Sequence, residues 1–230
     1  MRSQSPHHLG RGQSDKWDVS GVLLDESVAA PGSGASVAGA SPDGAMLDFA
    51  AIFGNGRPVE VEIGTGKGTF LLARASARPE INFLGIEWAR AYCLYAADRF
   101  RRAGLTNVRM LRADAGALFR RRIPSASLWR VHIYFPDPWP KTRHHRRRLI
   151  QPPFVEQLRR VLVPGGQVLV VTDHRGYFEQ IGSVLGSASR LAPVPFPQMA
   201  DEQGQVVGTN FERKYIAQGR EFYKLARMRY

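Results

Sequence analysis

The sequence predicts an α/β fold, with a mostly parallel central sheet, helices on both faces and a late antiparallel strand. Three observations predict it. Short apolar runs alternate with helix-like stretches, as in sheets built from strand–helix–strand units. A glycine turn, Gly64-Thr65-Gly66-Lys67-Gly68, follows the first of these runs directly. Acids recur at or just past the ends of the runs, at Glu62, Glu87, Asp114, Asp137 and Asp173. Parallel sheets bind ligands outside the carboxyl ends of their strands, so these acids and Gly64 mark one functional rim.

Each element has its own signal. Residues 59–63 form a short apolar run, and residues 69–77 read as a helix that stops before Pro79. Residues 82–87 are the second strand, and residues 89–103 a helix with Gly104 as its cap. Residues 107–112 and 131–135 are the third and fourth strands. Residues 153–162 are a helix closed by Pro164-Gly165-Gly166, followed by a fifth strand at 167–172 and a helix at 177–185. The stretch 214–228 reads as a late antiparallel strand with flanking turns. Residues 1–45 are rich in Gly, Ser, Ala and Pro and bury too little to offset ordering entropy, so mobility is expected there. Within them, residues 19–24 are expected to pack locally. Residues 46–230 form a single domain.

Charge narrows the function. The 230 residues carry a net charge of +12. Residues 1–56 hold only Arg2, Arg11 and Lys16 against Asp15, Asp18, Asp25, Glu26, Asp43 and Asp48. The excess of basic side chains therefore belongs to the folded part, and it implies an acidic partner. The single cysteine, Cys93, excludes an internal disulfide and a thiolate zinc site, and its helix-like setting reads as core. No histidine pair has metal-site partners, so no metal is expected. No run reaches the ~20 apolar residues of a membrane span. A soluble, cytoplasmic protein without a membrane partner is expected; its oligomeric state, monomer or homodimer, is left open.

Chemistry concentrates in Tyr134-Phe135-Pro136-Asp137-Pro138-Trp139-Pro140-Lys141 and the run Thr142-Arg143-His144-His145-Arg146-Arg147-Arg148. Asp137 stands between two prolines, which fix its backbone. Trp139 offers a flat face for a base, and the cations offer contacts for a phosphate backbone. The glycine turn lets the backbone approach a ligand closely. Its spacing fits neither the dinucleotide fingerprint nor a phosphate loop. Glu62, two residues earlier, suits a cofactor with a positively charged amino group. Glu87, at the second strand tip, suits ribose hydroxyls. Asp114 suits an adenine amino group, a helix N-cap, or both. His132 reads as core.

Together Glu62, Gly64, Gly66, Glu87 and Asp114 resemble the cofactor site of the Rossmann-like, class I S-adenosylmethionine-dependent methyltransferases. The Asp137 loop, the Arg143–Arg148 run, Val171-Thr172-Asp173-His174 and Thr209-Asn210-Phe211-Glu212 narrow the resemblance to the bacterial tRNA (guanine-N7)-methyltransferases. The likeness covers roughly residues 57–227. It implies methylation of a guanosine N7 in tRNA, at position 46 of the variable loop, with S-adenosyl-L-methionine as the cofactor. It implies that Glu62, Gly64, Gly66, Glu87, Asp114 and Asp137 bind the cofactor, with Asp137 also catalytic. It implies that Lys141, Asp173, Thr209, Asn210, Phe211 and Glu212 hold the guanosine. Arg143, His144, His145, Arg146, Arg147 and Arg148 would contact RNA, and Arg213 and Lys214 are placed facing it. The acidic N-terminal segment departs from the basic one that family members often carry. Three rival readings follow from the residues: a methyltransferase acting on an amine, an RNA-binding module without catalysis, and a nicotinamide enzyme. Aspartate rather than asparagine at 137, the intact rim acids and the glycine spacing argue against them in turn.

Overall fold

The computed structural model describes residues 17–24, 45–199 and 205–230; the rest of the segment expected to be mobile lies outside the described residues. A seven-stranded sheet runs through the domain in the order β3-β2-β1-β4-β5-β7-β6. Its strands are β1 Val59–Ile63, β2 Asn82–Glu87, β3 Val108–Arg112, β4 Leu128–Tyr134, β5 Leu162–Thr172, β6 Leu191–Val194 and β7 Tyr223–Arg229. The junctions from β3 to β5 are parallel. β7 enters antiparallel between β5 and β6. The chain winds outward from β1 to β3, then returns to β4 on the other side of β1. That reversal opens a crevice at the carboxyl ends of β1 and β4, where such sheets bind ligands.

Helices cover both faces: α1 Phe49–Phe53, α2 Thr69–Ala77, α3 Arg90–Arg102, α4 Ala115–Arg121, α5 Pro152–Val161, α6 Arg175–Ser187 and α7 Asn210–Ile216. On one face Val61, Ile86, Phe119, Leu158 and Ile181 build one core. On the other, Phe70, Leu71, Phe83, Ala96 and Phe100 build a second, and Cys93 is buried in it as expected. The alternating side chains of β2 show the division: Leu84 and Ile86 face the first core and Phe83 the second. Strands buried on both faces read as continuous apolar runs, which is why β1 and β2 were legible.

Four differences from the sequence reading have local causes. β5 starts at Leu162, not at residue 167, and passes straight through Pro164-Gly165-Gly166. A register shift against β4, between Leu128 and Arg130, absorbs the irregularity, as a bulge does. β4 begins at Leu128 and ends at Tyr134 because Phe135 turns to a positive φ of 51°. β6 is short and contains Pro193, and so gives little strand signal. Residues 210–216 are helical because Thr209 caps them, accepting from the Glu212 amide at 3.0 Å.

Within the segment expected to be mobile, Trp17 and residues 18–24 are held. Val22 O accepts from Met110 N at 2.9 Å, and Leu24 N donates to Met110 O at 2.8 Å. Val22 is buried, and the Trp17 ring meets Tyr95 edge-on at 5.4 Å. The segment caps β3, which would otherwise expose its edge. Among the described residues, no helix is long and apolar enough to cross a membrane.

Candidate active site

A pocket of about 850 Å³ opens at the carboxyl ends of β1 and β4. The β1 side is built from backbone. Gly64 N and Thr65 N both donate to Ile86 O, at 2.8 and 3.2 Å, and fold the turn back onto β2. Gly64, Gly66 and Gly68 have φ values of 79°, 55° and 72°, which L side chains rarely adopt. A Cβ on Gly68 would stand 2.6 Å from Phe100 Cζ, so that glycine lets α2 approach α3. A Cβ on Gly64 would meet nothing within 4 Å; there the open space is the pocket itself.

Glu87 is fixed by two amides. Its Oε2 accepts from Gly66 N and its Oε1 from Ala89 N, both at 2.8 Å. Each oxygen keeps a lone pair for a ligand. Asp114 caps α4 by accepting from Ala117 N at 2.7 Å, and it also lines the pocket, so both roles foreseen for it are compatible. Glu62 is different. It is buried, and its Oε2 has no hydrogen-bond partner. Burial raises its carboxyl well above the usual range; Thr65 opposes this by a hydrogen bond, and the Glu87 charge adds to it. An orphaned carboxylate oxygen at a pocket wall is a site that a ligand's ammonium group would satisfy. These two acceptors fit a ligand that carries an ammonium group and ribose hydroxyls, as S-adenosylmethionine does.

The β4 side is built from side chains. Asp137 is exposed at the pocket wall, in a loop flanked by two left-handed residues, Phe135 and Trp139, with φ values of 51° and 42°. Such conformations are strained for bulky residues and persist only when the surroundings hold them. Phe135 N donates to Val171 O at 2.7 Å. The Phe135 ring packs on Tyr215 and Phe222 at 5.6 and 5.5 Å, which ties the loop to α7 and to the residue just before β7. At the far end, Arg148 Nε donates to Pro138 O at 2.8 Å.

That contact corrects one expectation. Arg148 is not part of an RNA-facing surface. It is buried, it stacks on Tyr177 at 4.8 Å and it bonds Gln180. The 3₁₀ turn Thr142–Arg147 projects the exposed Arg143, Arg146 and Arg147, while its last residues draw Arg148 inward. Arg147 lies over Trp139 at 5.0 Å, and both line the pocket. His144 meets Trp139 edge-on, and His145 sits half-buried beside it in the turn.

The pocket brings together Glu62, Gly64, Gly66, Glu87, Asp114, Asp137, Thr209, Asn210 and Phe211. Lys141, Asp173 and Glu212 lie off its wall. Lys141 is exposed at the start of the 3₁₀ turn. Asp173 pairs with Arg220 at 2.6 Å, and Arg220 in turn stacks on Tyr215. Glu212 is fully buried and accepts from the amides of Val206, Val207 and Gly208, so the structure gives it the work of holding the loop before α7. Sequence reasoning missed Tyr134 and the 67 % exposed Trp88 as pocket residues. Both adjoin recognised motifs, Trp88 directly after Glu87 and Tyr134 at the start of the Asp137 loop.

Fold and site together define a methyltransferase. Solved structures agree on the fold: a SAM dependent methyltransferase from Aquifex aeolicus superposes with a TM-score of 0.52 at 14% identity, over 76% of this chain and 85% of that one. An antibiotic related methyltransferase gives 0.57 at 18% identity, over 77% and 91%. The family described as "Putative methyltransferase" matches residues 56–225. The tRNA (guanine-N(7)-)-methyltransferase of Nitrosococcus oceani is 42% identical over 78% of this chain and 75% of its own. That of Halorhodospira halophila is 37% identical over 80% of each. The chain belongs to the tRNA (guanine-N(7)-)-methyltransferase family.

Proposed function

We propose that this protein methylates N7 of a guanosine in tRNA, at position 46 of the variable loop, with S-adenosylmethionine as the methyl donor. One observation carries the reading. A single pocket joins the orphaned Glu62 carboxyl, suited to a cationic cofactor, to an exposed Asp137 under a rim of cations. When bound, the cofactor supplies a methyl group on a sulfonium sulfur, and its transfer leaves a neutral thioether and puts the positive charge on the guanine.

Guanine N7 carries a free lone pair at neutral pH, so the protein removes no proton to activate it. Its work is alignment, which can contribute up to roughly 7–11 kcal/mol. Asp137 accepts from the guanine N1–H and exocyclic amine and offsets the charge that appears on the ring. Its fixed loop means that little reorganisation accompanies the reaction. Trp139 and Phe211, the latter 51 % exposed at the pocket wall, provide faces for an everted base. Arg143, Arg146 and Arg147 hold the phosphate backbone. By resemblance we also assign Lys141 and Asp173 to the guanosine, from positions off the pocket wall, and the reaction to the cytoplasm.

Incubation of bulk tRNA with labelled S-adenosylmethionine, then chemical cleavage at 7-methylguanosine, tests the reading. Label at a single cleavable position is expected. Label that survives cleavage conditions, or that transfers to protein amines instead, would contradict it.

A further inference from the structure

Below the pocket runs a chain of buried polar groups that the reaction above does not use. Glu60 on β1 and His132 on β4 are both fully buried. His132 Nε2 lies 2.8 Å from Glu60 Oε2, and His132 Nδ1 lies 2.8 Å from the Tyr134 hydroxyl. Glu60 also faces Arg130 at 3.4 Å and Arg74 at 3.9 Å. Phe70 packs on both rings, 4.9 Å from His132 and 5.0 Å from Tyr134. Tyr134, Phe70 and Glu62 all line the pocket.

The order of protons in this chain follows from its partners. Burial pushes the Glu60 carboxyl up, but the hydrogen bond from His132 and the charges of Arg130 and Arg74 outweigh it and hold Glu60 ionised. An ionised carboxylate only accepts, so His132 Nε2 carries a proton and donates it. Burial lowers the His132 pKa and keeps the ring neutral, although Glu60 opposes this. A neutral imidazole has one donor, so Nδ1 must accept from the Tyr134 hydroxyl. Burial, together with the nearby Glu62 and Glu60 charges, keeps the phenol protonated. Tyr134 thus commits its one proton inward, and its oxygen is left as an acceptor beside Glu62.

We propose that Tyr134, positioned by Glu60 and His132, lets the pocket distinguish the charged methyl donor from its neutral demethylated product, by offering its phenol oxygen to the sulfonium end. The inference rests on the donor being a sulfonium. Its chemistry differs from that of Glu62. A carboxylate beside an electrophilic methyl group would compete for it as a nucleophile. A neutral phenol with its proton engaged attracts the positive centre and is a poor nucleophile. Glu60 and His132 act as positioning residues.

Calorimetry without tRNA tests this, with S-adenosylmethionine and S-adenosylhomocysteine as separate ligands. Tyr134→Phe keeps the ring and removes only the oxygen. It should weaken binding of S-adenosylmethionine about 3–10-fold, the worth of one neutral hydrogen-bonding contact, and leave S-adenosylhomocysteine within about twofold. His132→Gln retains one donor and one acceptor and should preserve the wild-type ratio of the two affinities. His132→Leu should lower that ratio toward the Tyr134→Phe value. If the leucine variant does not fold, the other two decide. Equal losses for both ligands, or no loss for S-adenosylmethionine, would overturn the inference while leaving the methyl-donor reading intact. A wild-type protein that binds neither ligand would count against both.

Discussion

The two walls of the pocket place their acids by different means. On the β1–β2 wall, Glu87 is set by the amides of Gly66 and Ala89, and the turn is set by glycine φ values and by bonds to Ile86 O. On the β4–β5 wall, Asp137 is set on one flank by Val171, Tyr215 and Phe222, which are distant in sequence, and on the other by Arg148, ten residues past Pro138. The first wall is a backbone device, complete within some thirty residues of the chain. The second depends on tertiary contacts that hold two left-handed residues in place. The β1–β2 wall is therefore formed by its own segment, whereas the β4–β5 wall exists only once the domain has closed.

Substitutions can break this contrast, and the largest effect belongs to Asp137. Asp137→Ala should lower kcat by about 10²–10³-fold, the cost of removing one electrostatic stabiliser, with the melting temperature unchanged. Asp137→Asn keeps the shape and should recover only part of that loss. Steady-state kinetics with tRNA checks both, and wild-type turnover in either would remove Asp137 from catalysis.

Arg148→Gln should come next. It frees the Pro138 carbonyl and leaves a buried gap, at a cost of about 1–3 kcal/mol in denaturant unfolding. Its kcat should fall with that of Asp137→Asn, while S-adenosylhomocysteine binding and the salt dependence of tRNA binding stay as in wild type. A reduced salt slope would place Arg148 on the RNA after all.

Glu62→Gln probes the other wall. Its carboxyl is raised in the folded, ligand-free protein by burial and by Glu87. A raised carboxyl contributes stability that is present below its ordinary pKa and lost as pH rises through the folded value. The Gln variant should therefore be more stable than wild type at neutral pH, with the gap closing as pH falls toward 4–5, near the ordinary Glu value. It should also bind S-adenosylmethionine more weakly. Thermal unfolding across pH checks the first point, and a gap independent of pH would contradict the assignment.

The smallest effect concerns Arg143, Arg146 and Arg147. Replacing all three with Gln should flatten the log–log salt slope of tRNA binding by about 0.7–0.9 per lost phosphate contact, and leave the affinity for S-adenosylhomocysteine unchanged. Binding titrations at several salt concentrations read this directly, and parallel slopes would argue against RNA contact by the turn.

The same contrast explains what was legible in the sequence. β1, the glycine turn, α2 and β2 could be placed to the residue, because apolar runs and glycine conformations are local signals. Glu62, Glu87 and Asp114 followed as strand-tip residues. The start of β5 was missed because Pro164-Gly165-Gly166 reads as a break, and only pairing with β4 overrides it. Arg148 was grouped with its basic neighbours because sequence gives no sign of which arginine the Pro138 carbonyl selects. The resemblance implied that Glu212 holds the guanosine, yet it is buried and accepts from three backbone amides, a role that only the folded loop reveals. Tyr134 gave an apolar strand signal that concealed its link to His132.

The most direct measurement uses a tRNA transcript in which 7-deazaguanosine replaces guanosine in the variable loop. That change removes the N7 lone pair and keeps the N1–H and amino edge that Asp137 would read. The transcript should bind with near-normal affinity and accept no methyl group, while the guanosine transcript is methylated to completion. Methyl transfer to the 7-deaza transcript at a comparable rate would contradict it.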